Sequence, residues 1–293
     1  MDDPANFPFL QKCGLPVISP ENLRADIRFL KNMDFQFITF EDLRKNPGLH
    51  PSKPSVILSF DDGYKDNYSN ARTILENEGV RGVFFQTTGI VNAESLLWAH
   101  TIFWHCRDKE NYQKFLAVCR ECFPEKIRDM ENRSLNLAYY LTEEVGHSKA
   151  LQALRLAQEI FPKSIERELS NKLYPDVKDI QEAHAAGHEI ACHGDQHLKR
   201  ESISWDVFEN DLQVSVEKIT KWTGQAPKTY AYPHGNFFET DNGVVSKYFS
   251  QVVTVQQGII SKDAMPLNLN RFYWAGPPKN ELRRKRWLLT GTC

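Results

Sequence analysis

The sequence predicts an α/β fold of mostly parallel strands, a barrel or an open sheet, interrupted by a helical insertion. Three observations predict it: short β-rich runs recur along the chain, segments of helical period separate them, and one long stretch carries helical period alone. The 293 residues leave room for two small domains, yet single α/β barrels reach the same size, and we read residues 1–293 as one domain.

Seven runs are the strand candidates: QFITF (36–40), SVILSF (55–60), GVFFQTT (82–88), HEIACH (188–193), TYAYPH (229–234), SQVVTV (250–255) and NRFYWA (270–275). Between them lie helical patterns. SPENLRADIRFLKNM has Ser19 or Asn22 near its cap, while NYSNARTILENEG, DIQEAHAAG and WDVFENDLQVSVEKITKWTG each close on a glycine, the residue that accepts the left-handed conformation past a helix end. From about His100 to Lys172 no run reads as a strand, and the connection is too long for a bare loop. This is the insertion (100–172), placed after the FFQTT strand, where it would cover one rim of the sheet and shape a cleft. No internal repeat or low-complexity segment is present.

Composition narrows the function classes. With 41% hydrophobic and 25% charged residues and a net charge of −2, this is an ordinary globular composition with no global attraction to nucleic acid. The basic run KNELRRKRW near the C-terminus reads as a solvated helix or tail. No stretch approaches the about 18 continuous apolar residues of a membrane span. The opening MDDPANFPFLQKCG lacks the basic start and apolar core of a secretory signal, and six cysteines are too dilute for a disulfide scaffold. Both point to the cytoplasm. Cys119 and Cys122 have C-x-x-C spacing in a helical segment without a second pair, and Cys192 alternates into the core.

Ligands of α/β sheets and barrels gather at the carboxyl ends of the strands, and three motifs stand there. SFDDG ends a strand in adjacent carboxylates. Once the chain leaves the strand after Phe60, Gly63 lets the backbone turn so that Asp61 and Asp62 face one cleft, where mutual repulsion calls for a proton or a cation. The alternative is that one aspartate caps the following helix and the other faces water. HEIACHGDQH ends a strand at His193 and puts His197 four residues on, so that a helical turn would stack the two imidazoles. With a carboxylate this is a His, His, Asp set of the kind that leaves catalytic zinc an open position. His184 and His188 read as structural. TYAYPHGN runs an aromatic strand into a turn whose backbone N–H groups could stabilise an oxyanion; a plain strand exit is the other reading.

SFDDG, then HGDQH, then YAYPHG, in this order, resembles the polysaccharide deacetylase family, the NodB-like carbohydrate esterases, over most of residues 20–275. The third motif is similar to the branch of the family that carries Tyr-Pro. The resemblance implies a distorted (β/α)7 TIM-like barrel and a hydrolase of linear amides. Its partner would be an N-acetylated sugar or saccharide precursor, and its expected setting is surface polysaccharide such as lipopolysaccharide O-antigen or capsule. It implies a divalent metal, usually zinc, with cobalt, nickel or manganese as alternatives, held by Asp62, His193 and His197, and it makes Asp61 the general base. The backbone N–H of His234 takes the oxyanion position usually held by tyrosine.

The chain also departs from the family pattern. It ends WLLTGTC without the Leu-x-His that usually supplies the acid, so His234 becomes the candidate acid by elimination, with His100 and His105 of the insertion as alternates. Gly194 stands where a Ser or Thr usually separates the two histidines. The arginine that usually pairs with the base is absent from the third motif, and Arg271 is the candidate to supply that charge. Tyr232, Arg271 and Trp274 are the candidate substrate-side residues, Trp274 lining the acetyl pocket. Related chains often carry a further strand with a Tyr-His pair before this start, which reads as a truncation or a late start. A degenerate barrel that binds sugar or metal without turnover, and a hydrolase of another linear amide such as a formyl group, are the rival functions.

Overall fold

The computed structural model describes residues 9, 18–46, 53–124, 127, 130, 134–145, 147–158, 163–235, 237–260 and 267–272. Trp274, the KNELRRKRW run, Cys13, Cys293 and the second half of the NRFYWA run (273–275) lie outside the described residues.

Helix α1 (Pro20–Asn32) begins where Ser19 accepts the Asn22 N–H at 3.2 Å, with proline in the first turn, so Ser19 is the cap. Strand β1 (Gln36–Phe37) follows, then α2 (Phe40–Lys45), opened by a reciprocal capping box between Thr39 and Asp42. The expected SVILSF strand divides into β2 (Ser55–Val56), parallel to β1, and β3 (Ser59–Phe60), parallel to β4 (Val83–Gln86). One extended run thus pairs on one side and then on the other. A π-helical turn (Asn67–Arg72) and α3 (Thr73–Asn77) lie between β3 and β4.

The connection after β4 holds α4 (Trp98–His105), α5 (Lys109–Cys122), α6 (Ser134–Tyr139), a second π-helical turn (Tyr140–Val145), α7 (His147–Ala157) and α8 (Lys163–Leu173). These helices bury a hydrophobic core of their own around Ile102, Phe115, Leu116, Leu137 and Leu141. Helix α9 (Val177–Ala185) then leads to β5 (Glu189–Cys192), α10 (Trp205–Thr223) to β6 (Thr229–Ala231), and α11 (Asn242–Val245) to β7 (Gln251–Val253).

Strands β3-β4-β5-β6-β7 form one parallel sheet in chain order, a curved, open half-barrel that is the described form of the distorted barrel. Past β7, Leu269, just before the NRFYWA run, makes a single parallel bridge to Val253 at the sheet edge. Alternation sorts each strand's residues. One parity packs outward on the helices, with Phe84, Ile190, Cys192, Tyr230 and Val252 against Ile180, Phe208, Leu212 and Ile219. The other fills the concave interior in layers. At the amino ends Glu189, Thr229 and Gln251 gather on the Arg44 guanidinium, with contacts of 3.3, 2.9 and 2.7 Å. Above them Phe85, Ala191, Ala231, Val253 and Leu269 form an apolar layer. The next layer, at the carboxyl ends, brings in Asp61 and His193.

Candidate metal and hydrolytic site

Asp61 leaves β3, and the chain reverses at once: Asp62 and Gly63 both adopt left-handed backbone, at φ 69° and 76°, and the Gly63 N–H donates to the Asp61 carbonyl at 2.9 Å. The turn therefore starts one residue earlier than the sequence suggests, at a residue type that tolerates this region. Gly63 is needed for a second reason. A Cβ there would meet the Gln86 amide at 2.3 Å, and Gln86 is itself held by the Tyr68 hydroxyl at 2.6 Å. The reversal sends the two carboxylates to different partners within one cleft.

Asp62 Oδ1 lies 3.3 Å from His193 Nε2 and 3.1 Å from His197 Nε2, and the three ligand atoms are within 4.8 Å of one another. The histidines meet through a loop, with Gly194 at φ 75° and His197 at φ 51°, and not through the helical turn expected from their spacing; their ring centroids are 5.1 Å apart. His193 Nδ1–H donates to the Ala231 carbonyl at 2.8 Å, which leaves the Nε2 lone pair of the neutral ring facing a carboxylate. Two acceptors that close require a proton or a cation between them. Burial alone would raise the Asp62 carboxyl, but the hydrogen bonds and charges of His193 and His197 hold it well below the usual carboxylate range. Burial lowers His193, and the two aspartates outweigh it, so its pKa is raised. One carboxylate and two imidazoles fit a divalent cation with room for further oxygen ligands.

Asp61 faces Arg271. The guanidinium forks onto the carboxylate at 2.7 Å and 2.5 Å and donates through Nε to the Thr254 carbonyl at 3.0 Å. Burial pushes the Asp61 pKa up, and the Arg271 charge and hydrogen bonds more than offset this, leaving it lowered and the group ionised. Arg271 thus sits on a candidate base rather than on open cleft.

The ligand loop is anchored from α10. Asp211 accepts the Asp195 and Gln196 N–H groups, both at 2.9 Å, and a Cβ on Gly194 would fall 2.5 Å from its Oδ2. The hydroxyl missing at position 194 is therefore replaced by a carboxylate that needs a glycine beneath it. Burial raises the Asp211 carboxyl to about 6 despite these donors. Asp195 is fixed in turn by Thr88 at 2.6 Å and Lys218 at 2.7 Å.

The other sequence candidates separate. His234 lies beside the triad, its ring centroid 4.9 Å from that of His197, and burial followed by the neighbouring His197 charge lowers it to about 4. Its Nδ1 is 3.6 Å from Glu143 of the second π-helical turn, whose other oxygen binds Lys199 at 3.0 Å. His100 reaches the edge of the site with both nitrogens engaged, by the Tyr64 hydroxyl at 2.8 Å and the Tyr174 hydroxyl at 2.6 Å. His105 packs on Phe115 within the insertion. Tyr232 corrects its assignment to the substrate side: its ring is 1% exposed and packs on Tyr230, Phe208 and Phe237, because its parity points away from the barrel interior. His188 accepts the Gly82 N–H at 3.0 Å and Cys192 contacts the Ser215 hydroxyl at 3.1 Å, both structural.

Sequence reasoning missed Asp211 and Glu143. Asp211 had a signal, an acid on the apolar stripe Phe208, Leu212, Ser215, Ile219 of α10. Glu143 had none.

The fold is similar to that of the Streptococcus pyogenes deacetylase PplD in complex with acetate, at 17% identity and TM-score 0.61 over 95% of this chain and 89% of that one. It is similar to a polysaccharide deacetylase from Bacillus cereus, at 18% identity and TM-score 0.55, covering 87% of this chain and 57% of the other. IcaB from Ammonifex degensii matches at 15% identity and TM-score 0.56, over 87% and 84% of the two chains. No curated protein matches the sequence. The family model for polysaccharide deacetylase matches residues 48–249, well over half of the sequence, and the chain belongs to the polysaccharide deacetylase family.

Proposed function

We propose that this protein is a metal-dependent deacetylase that hydrolyses the N-acetyl amide of an amino sugar during assembly of a surface polysaccharide, such as O-antigen or capsule. The observation that carries the reading is the convergence of Asp62, His193 and His197 within 4.8 Å, beside a second carboxylate that an arginine keeps ionised. The free thiols of Cys106, Cys119, Cys122 and Cys192 support a cytoplasmic setting and hence a precursor substrate.

A divalent cation on Asp62, His193 and His197, zinc before cobalt, nickel or manganese, would polarise an amide carbonyl and acidify a water there. Asp61, free of that ligand set, takes a proton from the water as it attacks. Arg271 holds the Asp61 carboxylate in place and in its charged form. His234, next to His197 and 3.6 Å from Glu143, is the proposed acid: neutral in the resting site, it would pass to the departing amine the proton that Asp61 takes from the water. The backbone N–H of His234, in a turn where this residue adopts φ 61°, is the proposed oxyanion donor.

The test is acetate release from N-acetylated amino sugars by protein stripped of metal and reloaded with each cation. Release that depends on metal supports the reading. Release of formate from N-formyl sugars alone moves the activity to another linear amide, and no release with any metal or substrate makes the barrel a binding module.

A further inference from the structure

The neighbours of Thr87 fix the direction of its side chain. In β4, Phe85 faces the barrel interior, with its ring 6.5 Å from that of His193 and 5.7 Å below the Arg271 guanidinium. Gln86 points outward to the Tyr68 hydroxyl at 2.6 Å, and Thr88 points outward to Asp195 Oδ1 at 2.6 Å. Between them Thr87 stays extended, at φ −77° and ψ 111°. Its N–H donates to the Asp62 carbonyl at 3.4 Å, and the next N–H donates to the Gly194 carbonyl at 3.0 Å. The ladder therefore runs on past the strand's end.

Alternation turns Thr87 inward, onto the layer above Phe85. The register, continued past the strand ends, carries Phe85 opposite Asp61 and Thr87 opposite His193, so Thr87 stands beside His193 and one pleat step above Asp61. Thr87 is 1% exposed, and its Oγ1 has no hydrogen-bond partner among the described residues. A buried hydroxyl in that state calls for an explanation. Its place beside a candidate metal-ligand histidine, one step above the candidate base, supplies one.

We propose that Thr87 Oγ1 binds the reacting oxygen of this site, an inference that rests on the reading of the site as an amide hydrolase. The hydroxyl accepts one O–H of the attacking water, which leaves the other O–H directed at Asp61. After the amide C–N bond breaks, the hydroxyl rotates and donates to a carboxylate oxygen of the acetate product. Thr87 keeps its own proton throughout: one water proton passes by way of Asp61 to the departing amine, and the other leaves with acetic acid and is lost to solvent as acetate forms.

Thr87→Val preserves shape and removes the hydroxyl, and Thr87→Ser keeps the hydroxyl and removes the methyl. On metal-loaded protein, Thr87→Val should lower kcat about tenfold and weaken acetate binding, titrated by 13C NMR, by a similar factor, with metal content and Tm unchanged. Thr87→Ser should recover most of both. Wild-type turnover and acetate affinity in Thr87→Val overturn the proposal, as does a Thr87→Ser variant no better than Thr87→Val, since packing would then be what matters. If the wild type releases no acetate from any substrate, the functional reading fails, and loss of acetate affinity in Thr87→Val alone still supports the Thr87 assignment. A wild type that neither releases nor binds acetate overturns both.

Discussion

Replacing Arg271 with methionine removes the partner of Asp61 while keeping an apolar stem over Phe85. Two charge-assisted hydrogen bonds, each worth about 1.5–3 kcal/mol net, set a ceiling of about 6 kcal/mol on the pair. Both side chains are partly exposed, 21% for Arg271 and 29% for Asp61, and solvent screening brings the coupling to about 3 kcal/mol. At about 1.4 kcal/mol per tenfold, this is a loss of about a hundredfold in kcat. Arg271→Lys restores the charge without the fork and should fall between the two. Metal content, measured by elemental analysis, should be unchanged, because the candidate metal set is Asp62 with the two histidines. The decisive assay is a double-mutant cycle with Asp61→Asn, following acetate release. If Arg271 acts through Asp61, its removal costs little once Asp61 is neutral. A loss of less than threefold in Arg271→Met, or costs that simply add, would refute the argument.

Three further perturbations test other parts of the structure. His193→Ala and Asp62→Asn should each lose the bound metal and all turnover; stoichiometric metal in either variant would show that the ligand set is wrong. Asp211→Asn leaves one oxygen to accept the two loop N–H groups and should weaken metal affinity about 10- to 100-fold in a competition titration, whereas unchanged affinity would mean that the ligand loop holds its shape unaided. His105, which burial lowers to about 3 from its ordinary 6.5, is neutral in the folded state across that interval while the unfolded chain takes up its proton. Stability is therefore full above about pH 6.5 and is lost as pH falls toward 3. His105→Leu should shift the acid-unfolding midpoint downward, and an unshifted midpoint would mean that other groups dominate.

How much of this site was legible depends on how each residue reaches it. Asp61, Asp62, His193 and His197 declared themselves because chemistry-bearing residues cluster where apolar runs stop, and strand ends are where an α/β sheet presents its ligands. The means of convergence were less legible. The histidine spacing suggests a helical turn, but left-handed backbone at Gly194 and His197 does the work, and nothing in a four-residue spacing distinguishes the two. Arg271 was legible only as the candidate for the charge absent from the third motif; in the structure it follows Leu269 by two residues and meets Asp61. Tyr232 fails by strand alternation. It is aromatic and lies in the right motif, but its parity is that of Tyr230, whose ring stacks on Phe249 in the outer core.

That parity rule, applied beyond the strand ends, accounts for the interior as a graded stack. Arg44 neutralises Glu189 beneath the sheet, an apolar layer insulates the middle, and Arg271 neutralises Asp61 above it. The two arginines share one task, pairing with an interior carboxylate, but only the upper one does so beside a set of candidate metal-ligating atoms. The difference between the structural carboxylate and the proposed catalytic one in this barrel is therefore position along the strand, not residue type. Glu189 opens β5 at the sealed end, whereas Asp61 follows β3 at the end where Asp62 turns back toward His193 and His197. A sequence reading that counts acids cannot separate Glu189 from Asp61. One that places each acid before or after its strand can, and it assigns the chemistry to the residues after.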